Sequence, residues 1–222
     1  LVRFLNGKVH GVFLCGSYAR GAMTSLGERQ RVAEVVNQQA EGMQVIAMTG
    51  TTNTRDTIEL SLHAKAAGCD AVSAIAPYYF HHNMDDVVAH YQDIMEAVGE
   101  DYPVYIYVNP KFSGYEVDLK TLRRLKELGL HGIKAASFDI MVFANYMREL
   151  ADENFDVALG TEALWMAASV YGAQSFIPGL ANAFPEICMQ MYNESTAKDY
   201  ESCRSTQFKI NRLRDVMYLS KS

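Results

Sequence analysis

QVIAMTGTTNTRDTIELSLHAKAAGCDAVSAIAPYY, residues 44–79, decides the fold. It opens on QVIAMTG (44–50) and closes on AVSAIAPYY (71–79), two short apolar runs rich in strand-forming residues. Between them TRDTIELSLHAKAAG (54–68) carries apolar residues at helical spacing and stops at a glycine. A strand, a helix and a second strand in that order predict a parallel sheet with the helix packed outside it.

The same alternation runs through the chain. GVFLCG (11–16), PVYIYVNP (103–110), HGIKAAS (131–137), FDVALG (155–160) and AQSFIPGL (173–180) bring the strand-like runs to seven. LGERQRVAEVVNQQAE, MDDVVAHYQDIMEAVG, DLKTLRRLKELG, DIMVFANYMREL and EALWMAASVYG supply the other helices. Seven repeats are one short of an eightfold (β/α) barrel, and the opening LVRFLNGKVHG reads as the tail of a helix. The expectation is therefore an α/β protein, a (β/α)8 TIM barrel over residues 1–181 whose first strand lies before Leu1. Residues 182–222 read as an incomplete C-terminal helical extension. An open doubly wound sheet is the alternative, although no Gly-x-Gly-x-x-Gly follows any strand.

With 222 residues, 49% of them apolar, the chain suits one soluble domain with a full core. A formal net charge of −6 and no Lys/Arg block argue against nucleic acid or an anionic membrane as partner. No apolar run approaches a membrane span and no signal-peptide pattern opens the chain, so cytoplasm is the expected compartment. Cys15, Cys69, Cys188 and Cys203 form no Cys-x-x-Cys pair and read as reduced and buried. The adjacent His81 and His82 point apart along a strand end with no third ligand at a usual spacing, so neither a metal nor another cofactor is expected. Trp165 reads as a packing residue.

Barrel enzymes place their chemistry at the C-terminal ends of the strands. Those ends carry Ser17 and Tyr18, Thr49, Tyr78 and Tyr79, Tyr107, Lys134, then Thr161 and Glu162 after Gly160, and the Gly179 turn. One lysine thus faces several hydroxyls. An ammonium in an apolar strand is costly to bury and sheds its proton more readily. The neutral amine attacks a ketone to give an imine, and the protonated imine is an electron sink for breaking a neighbouring bond. Tyrosine and serine hydroxyls relay protons without a permanent charge. A barrel that binds a keto acid without turning it over, and a phosphate-binding isomerase, remain the other classes at this point.

GIKAAS around Lys134, APYY ending at Tyr79, YVNPKFSG from Tyr107, GSYARGAMTSLGER from Gly16 and GLANAFPE from Gly179 occur in order along the chain. In these motifs the sequence resembles the dihydrodipicolinate synthase and N-acetylneuraminate lyase family of Schiff-base aldolases, over nearly its whole length. The resemblance implies a lyase acting on pyruvate or a related 2-keto acid together with an aldehyde. Lys134 is then the imine-forming residue and Tyr107 the proton shuttle. Ser17 takes the place of a relay threonine, and Tyr79 reaches into a neighbouring subunit's site within a homotetramer. Glu162 matches a position the lyases use toward the sugar-like end of the substrate, and Tyr18, Thr161, Phe112, Gly160 and Ile177 complete the expected substrate-binding set.

The departures carry information as well. Phe112 stands where the synthases have an arginine that clamps a substrate carboxylate, Ala135 replaces a glutamate, and Ala19-Arg20 replaces Gly-Glu. These changes point away from the dihydrodipicolinate synthase reaction, which stays as the alternative activity.

Overall fold

The structure, a computed structural model, describes residues 1–219. The last three residues of the helical extension expected over 182–222 lie outside them. After a short helix α1 (Val2–Leu5) come β1 (Gly11–Leu14), α2 (Leu26–Gln39), β2 (Gln44–Met48), α3 (Thr54–Ala66), β3 (Ala71–Ile75) and α4 (Met84–Val98). Then follow β4 (Val104–Val108), a one-turn α5 (Pro110–Ser113), α6 (Leu119–Glu127), β5 (Gly132–Ala135), α7 (Ile140–Leu150) and β6 (Asp156–Leu159). The chain continues through α8 (Trp165–Val170) and α9 (Pro185–Thr196) to α10 (Tyr200–Met217).

The six strands form one parallel sheet in chain order, β1-β2-β3-β4-β5-β6. Local chemistry fixes where each outer helix begins. Ser25 and Glu28 close a reciprocal capping box on α2. Asn53, Asn83, Asp118 and Asp139 each accept a backbone N–H at the starts of α3, α4, α6 and α7. Between helices and sheet lie the fully buried Val72, Val104, Ile106, Leu122, Leu125 and Ile133. Trp165 is buried, stacks on Phe176 with centroids 4.4 Å apart, and donates its indole N–H to Ser195 Oγ at 2.9 Å. It packs, as its sequence context predicts. No helix among the described residues is long and apolar enough to cross a membrane.

Two expectations need correcting. AQSFIPGL (173–180) is not a full strand: it meets β6 through a single parallel bridge, Leu159 to Phe176. Leu159 donates to Ser175 O at 3.0 Å and Ile177 donates to Leu159 O at 2.8 Å, but the next residue, Pro178, has no N–H to continue the ladder. Likewise the run ending at Tyr79 leaves the sheet after Ile75, just before Pro77. The sheet therefore curls into a half-barrel that is open between β1 and residues 174–183. These two edges face each other across a cavity of about 830 Å³.

Candidate active site

β5 runs GIKA, and strand alternation places Gly132 and Lys134 on the same face. That face is the inside of the curl. A side chain at 132 would stand 2.5 Å from Asp156 O and 2.7 Å from the Tyr105 ring, so only glycine leaves room for Tyr105 beneath the lysine. Parallel register sets Tyr107 of β4 directly beside Lys134 of β5. The amine and its neighbouring phenol are thus placed by backbone ladder bonds rather than by a loop.

Lys134 is 7% exposed. Its Nζ lies 3.6 Å from the Phe13 ring centroid and 4.2 Å from that of Tyr107, and among the described residues it has no carboxylate partner. The two aromatic faces favour the ammonium by a small amount. Burial outweighs them and pushes the Lys134 pKa from 10.5 down to about 7. The amine is therefore substantially unprotonated at neutral pH.

Tyr107 is buried, and its hydroxyl is held from two sides. Asn109 Nδ2 donates to Tyr107 Oη at 2.9 Å, and Ser17 Oγ shares a hydrogen bond with it at 3.1 Å. A phenol has one proton and two acceptor sites. With Asn109 filling one acceptor site, Tyr107 and Ser17 share the remaining hydroxyl–hydroxyl bond, near the Lys134 amine over the Tyr107 ring.

The other predicted residues divide into two groups. Tyr18, Gly160 and Ile177 line the same cavity as Lys134, Tyr107 and Ser17. Tyr79, Phe112, Thr161 and Glu162 do not. Tyr79 is 83% exposed, in the left-handed backbone region at φ 85°, with its ring edge-on to the exposed Phe80. Phe112 projects from α5, half exposed. Thr161 is buried, accepting the Ala163 N–H to start a 3-10 turn. Glu162 is buried and engaged at every oxygen. Oε1 pairs with Arg214 of α10, Oε2 accepts from the Gly179 N–H at 3.0 Å, and its carbonyl accepts from Gln207 Nε2 at 2.8 Å.

Sequence reasoning missed Phe13, Asn109 and Arg214. Asn109 stands in the YVNP strand end two residues beyond Tyr107, which is a usable signal. Phe13 and Arg214 meet the site only through long-range packing and leave no local trace.

A curled parallel sheet with outer helices holds, at its C-terminal rim, a buried lysine that has no carboxylate partner among the described residues and stands beside a tyrosine, the arrangement of an α/β enzyme suited to amine chemistry. The chain belongs to the dihydrodipicolinate synthetase family, which matches residues 1–221. It is a Schiff-base lyase of the 2-keto-acid aldolases. A 4-hydroxy-tetrahydrodipicolinate synthase from Methanospirillum hungatei is 32% identical over 212 residues, covering 95% of this chain and 72% of the relative. A sialic acid aldolase from Ruminococcus gnavus, solved as a catalytic lysine mutant, superposes with a TM-score of 0.90 at 26% identity over 95% of this chain and 70% of its own. The dihydrodipicolinate synthase of Aquifex aeolicus shares the fold, with a TM-score of 0.91 at 22% identity over 99% of this chain and 75% of its own.

Proposed function

We propose that Lys134 forms the imine with pyruvate or a close 2-keto acid, and that the enzyme makes or breaks a carbon–carbon bond to an aldehyde lacking a second carboxylate. The observation that carries this reading is the buried Lys134, its pKa near 7, next to the Tyr107–Ser17 pair. The neutral amine adds to the keto carbon, the carbinolamine loses water, and the iminium lets C3 lose a proton or an aldehyde fragment. Tyr107 and Ser17 carry that proton between the substrate and solvent at the rim. Phe112, half exposed on α5 and outside the cavity lining in this structure, offers no side-chain donor to a second carboxylate at the rim, which supports a hydroxyaldehyde or aromatic aldehyde as acceptor. The names of the relatives favour aspartate semialdehyde instead, and a coupled assay comparing the two acceptors decides between them.

The same reading includes a closed eightfold barrel over residues 1–181 with a strand before Leu1, and a helical extension from 182 onward. The open edge of β1 opposite the Phe176 bridge supports it. It also includes a cytoplasmic homotetramer in which Tyr79 crosses into a neighbouring subunit. The exposure of Tyr79 and Phe80 supports that role. Borohydride reduction in the presence of pyruvate, followed by peptide mass mapping, tests the core of the proposal. An adduct on the Lys134 peptide is expected, and trapping that persists in Lys134→Ala overturns it.

A further inference from the structure

Arg214 lies on the last helix, far along the chain from the imine lysine, yet it is 8% exposed and reaches several rim loops. It pairs with Glu162 in the loop after β6, and the other oxygen of Glu162 holds the Gly179 N–H. Its guanidinium carbon sits 5.7 Å from the ring centroid of Phe138, in the loop after the lysine strand. Nη2 donates to Tyr218 Oη at 3.2 Å, and Tyr218 Oη shares a hydrogen bond with Tyr18 Oη at 3.2 Å. Tyr18 in turn packs against Gly179, where an added Cβ would stand 2.3 Å from its ring. Tyr18 is bonded through the backbone to Ser17, whose Oγ meets Tyr107.

We infer that Arg214 and Tyr218 are positioning residues for the proton relay: α10 fixes Tyr18 against Gly179, and so holds Ser17 within hydrogen-bond reach of Tyr107. This rests on the imine reading of Lys134. A guanidinium is suited to the task because its planar fork serves a carboxylate and a phenol at once while a face remains for Phe138. The amine itself stands outside this arrangement, since β5 and its ladder bonds place it. Loosening α10 should therefore separate two events that pyruvate alone reports, imine formation and proton transfer at C3.

Both are measured on one enzyme without an aldehyde. Borohydride trapping of pyruvate reads the imine, and loss of the pyruvate methyl signal in D2O reads exchange at C3. Arg214→Met should slow exchange about 10- to 100-fold, the scale of a misplaced catalytic group. Tyr218→Phe, at an exposed position, should slow it about 3- to 10-fold for the loss of one hydrogen-bonded hydroxyl. Arg214→Lys, which keeps the charge opposite Glu162 but not the fork, should fall between wild type and Arg214→Met. Trapping should stay within about twofold in all three, which a general loss of structure does not allow. Should Arg214→Met fail to fold, Tyr218→Phe decides. Exchange at the wild-type rate in Tyr218→Phe overturns the inference, as does trapping that falls in step with exchange. A wild-type enzyme that traps no pyruvate at Lys134 overturns the imine reading instead.

Discussion

Replacing Lys134 by Met removes an amine that the fold holds against its own electrostatics, and the size of that conflict follows from the structure. Burial moves the Lys134 pKa from 10.5 to about 7. At about 1.4 kcal/mol per pKa unit, the folded protein disfavours the ammonium by roughly 5 kcal/mol relative to the unfolded chain. The sign is set by linkage. Between the folded and unfolded pKa values the unfolded chain binds more protons, so stability rises with pH through that window. Below pH 7 nearly the full penalty acts. Near pH 10 it is almost gone.

The Met variant lacks this group, and other titrating residues cancel in the comparison. It should be more stable than wild type at pH 6, with the difference shrinking by roughly 4 kcal/mol by pH 10. Urea unfolding of both proteins at pH 6, 8 and 10 measures this. The same displacement makes about half the amine neutral at pH 7, against roughly one in 3,000 for an ordinary lysine. The rate of pyruvate trapping should accordingly rise to a plateau just above pH 7. A stability difference that is flat across pH, together with trapping that climbs toward pH 10, would refute the argument from burial.

Tyr107→Phe keeps the ring beside Lys134 but removes the relay hydroxyl, so kcat should fall about 10²- to 10⁴-fold while borohydride trapping persists. An unchanged kcat removes Tyr107 from the relay. Mixed assemblies of Tyr79→Phe and Lys134→Ala subunits should recover part of the activity that the Lys134→Ala assembly lacks. Failure of well-mixed assemblies to do so confines Tyr79 to its own subunit. With aspartate semialdehyde, the missing clamp at Phe112 should cost about 2 to 5 kcal/mol, or roughly 30- to 5,000-fold in kcat/KM against a neutral aldehyde. Comparable values for the two acceptors contradict that, and would direct attention to Arg20 as a replacement clamp.

Much of this architecture was legible because strands buried on both faces leave apolar runs and capped helices leave polar signatures. Six of the seven runs are strands, and Asn53, Asn83, Asp118 and Asp139 begin their helices in the sequence order the periodicity requires. AQSFIPGL misled because its apolar composition was weighted above Pro178 within the run, and because composition does not register a missing partner strand. Lys134 was legible as a charge in an apolar strand. Arg214 was not, since nothing in its local sequence announces that the packing of α10 brings it to Glu162, 52 residues away. Glu162, expected from the resemblance to face the substrate, instead has both carboxylate oxygens occupied, by Arg214 and by the Gly179 N–H.

The site thus has two parts with different origins. Lys134 and Tyr107 are neighbours because two parallel strands share a register, and shifting either by one residue would turn its side chain out of the curl. Their geometry is as firm as the sheet, and the fully buried Ile106 and Ile133 that flank them on the outer face lie in the main core. That core offsets the penalty of an unpaired lysine. Ser17 and Tyr18 stand on a loop that contains Arg20 in the left-handed region and has no ladder to hold it. Besides its own turn bonds it meets Gly179 and Tyr218, residues supplied from far along the chain. On the proposed reading, imine formation draws on the sheet-borne part, whereas proton transfer draws on both. On that reading, substitutions in α10 should slow proton exchange at C3 without disturbing the attachment of the keto acid.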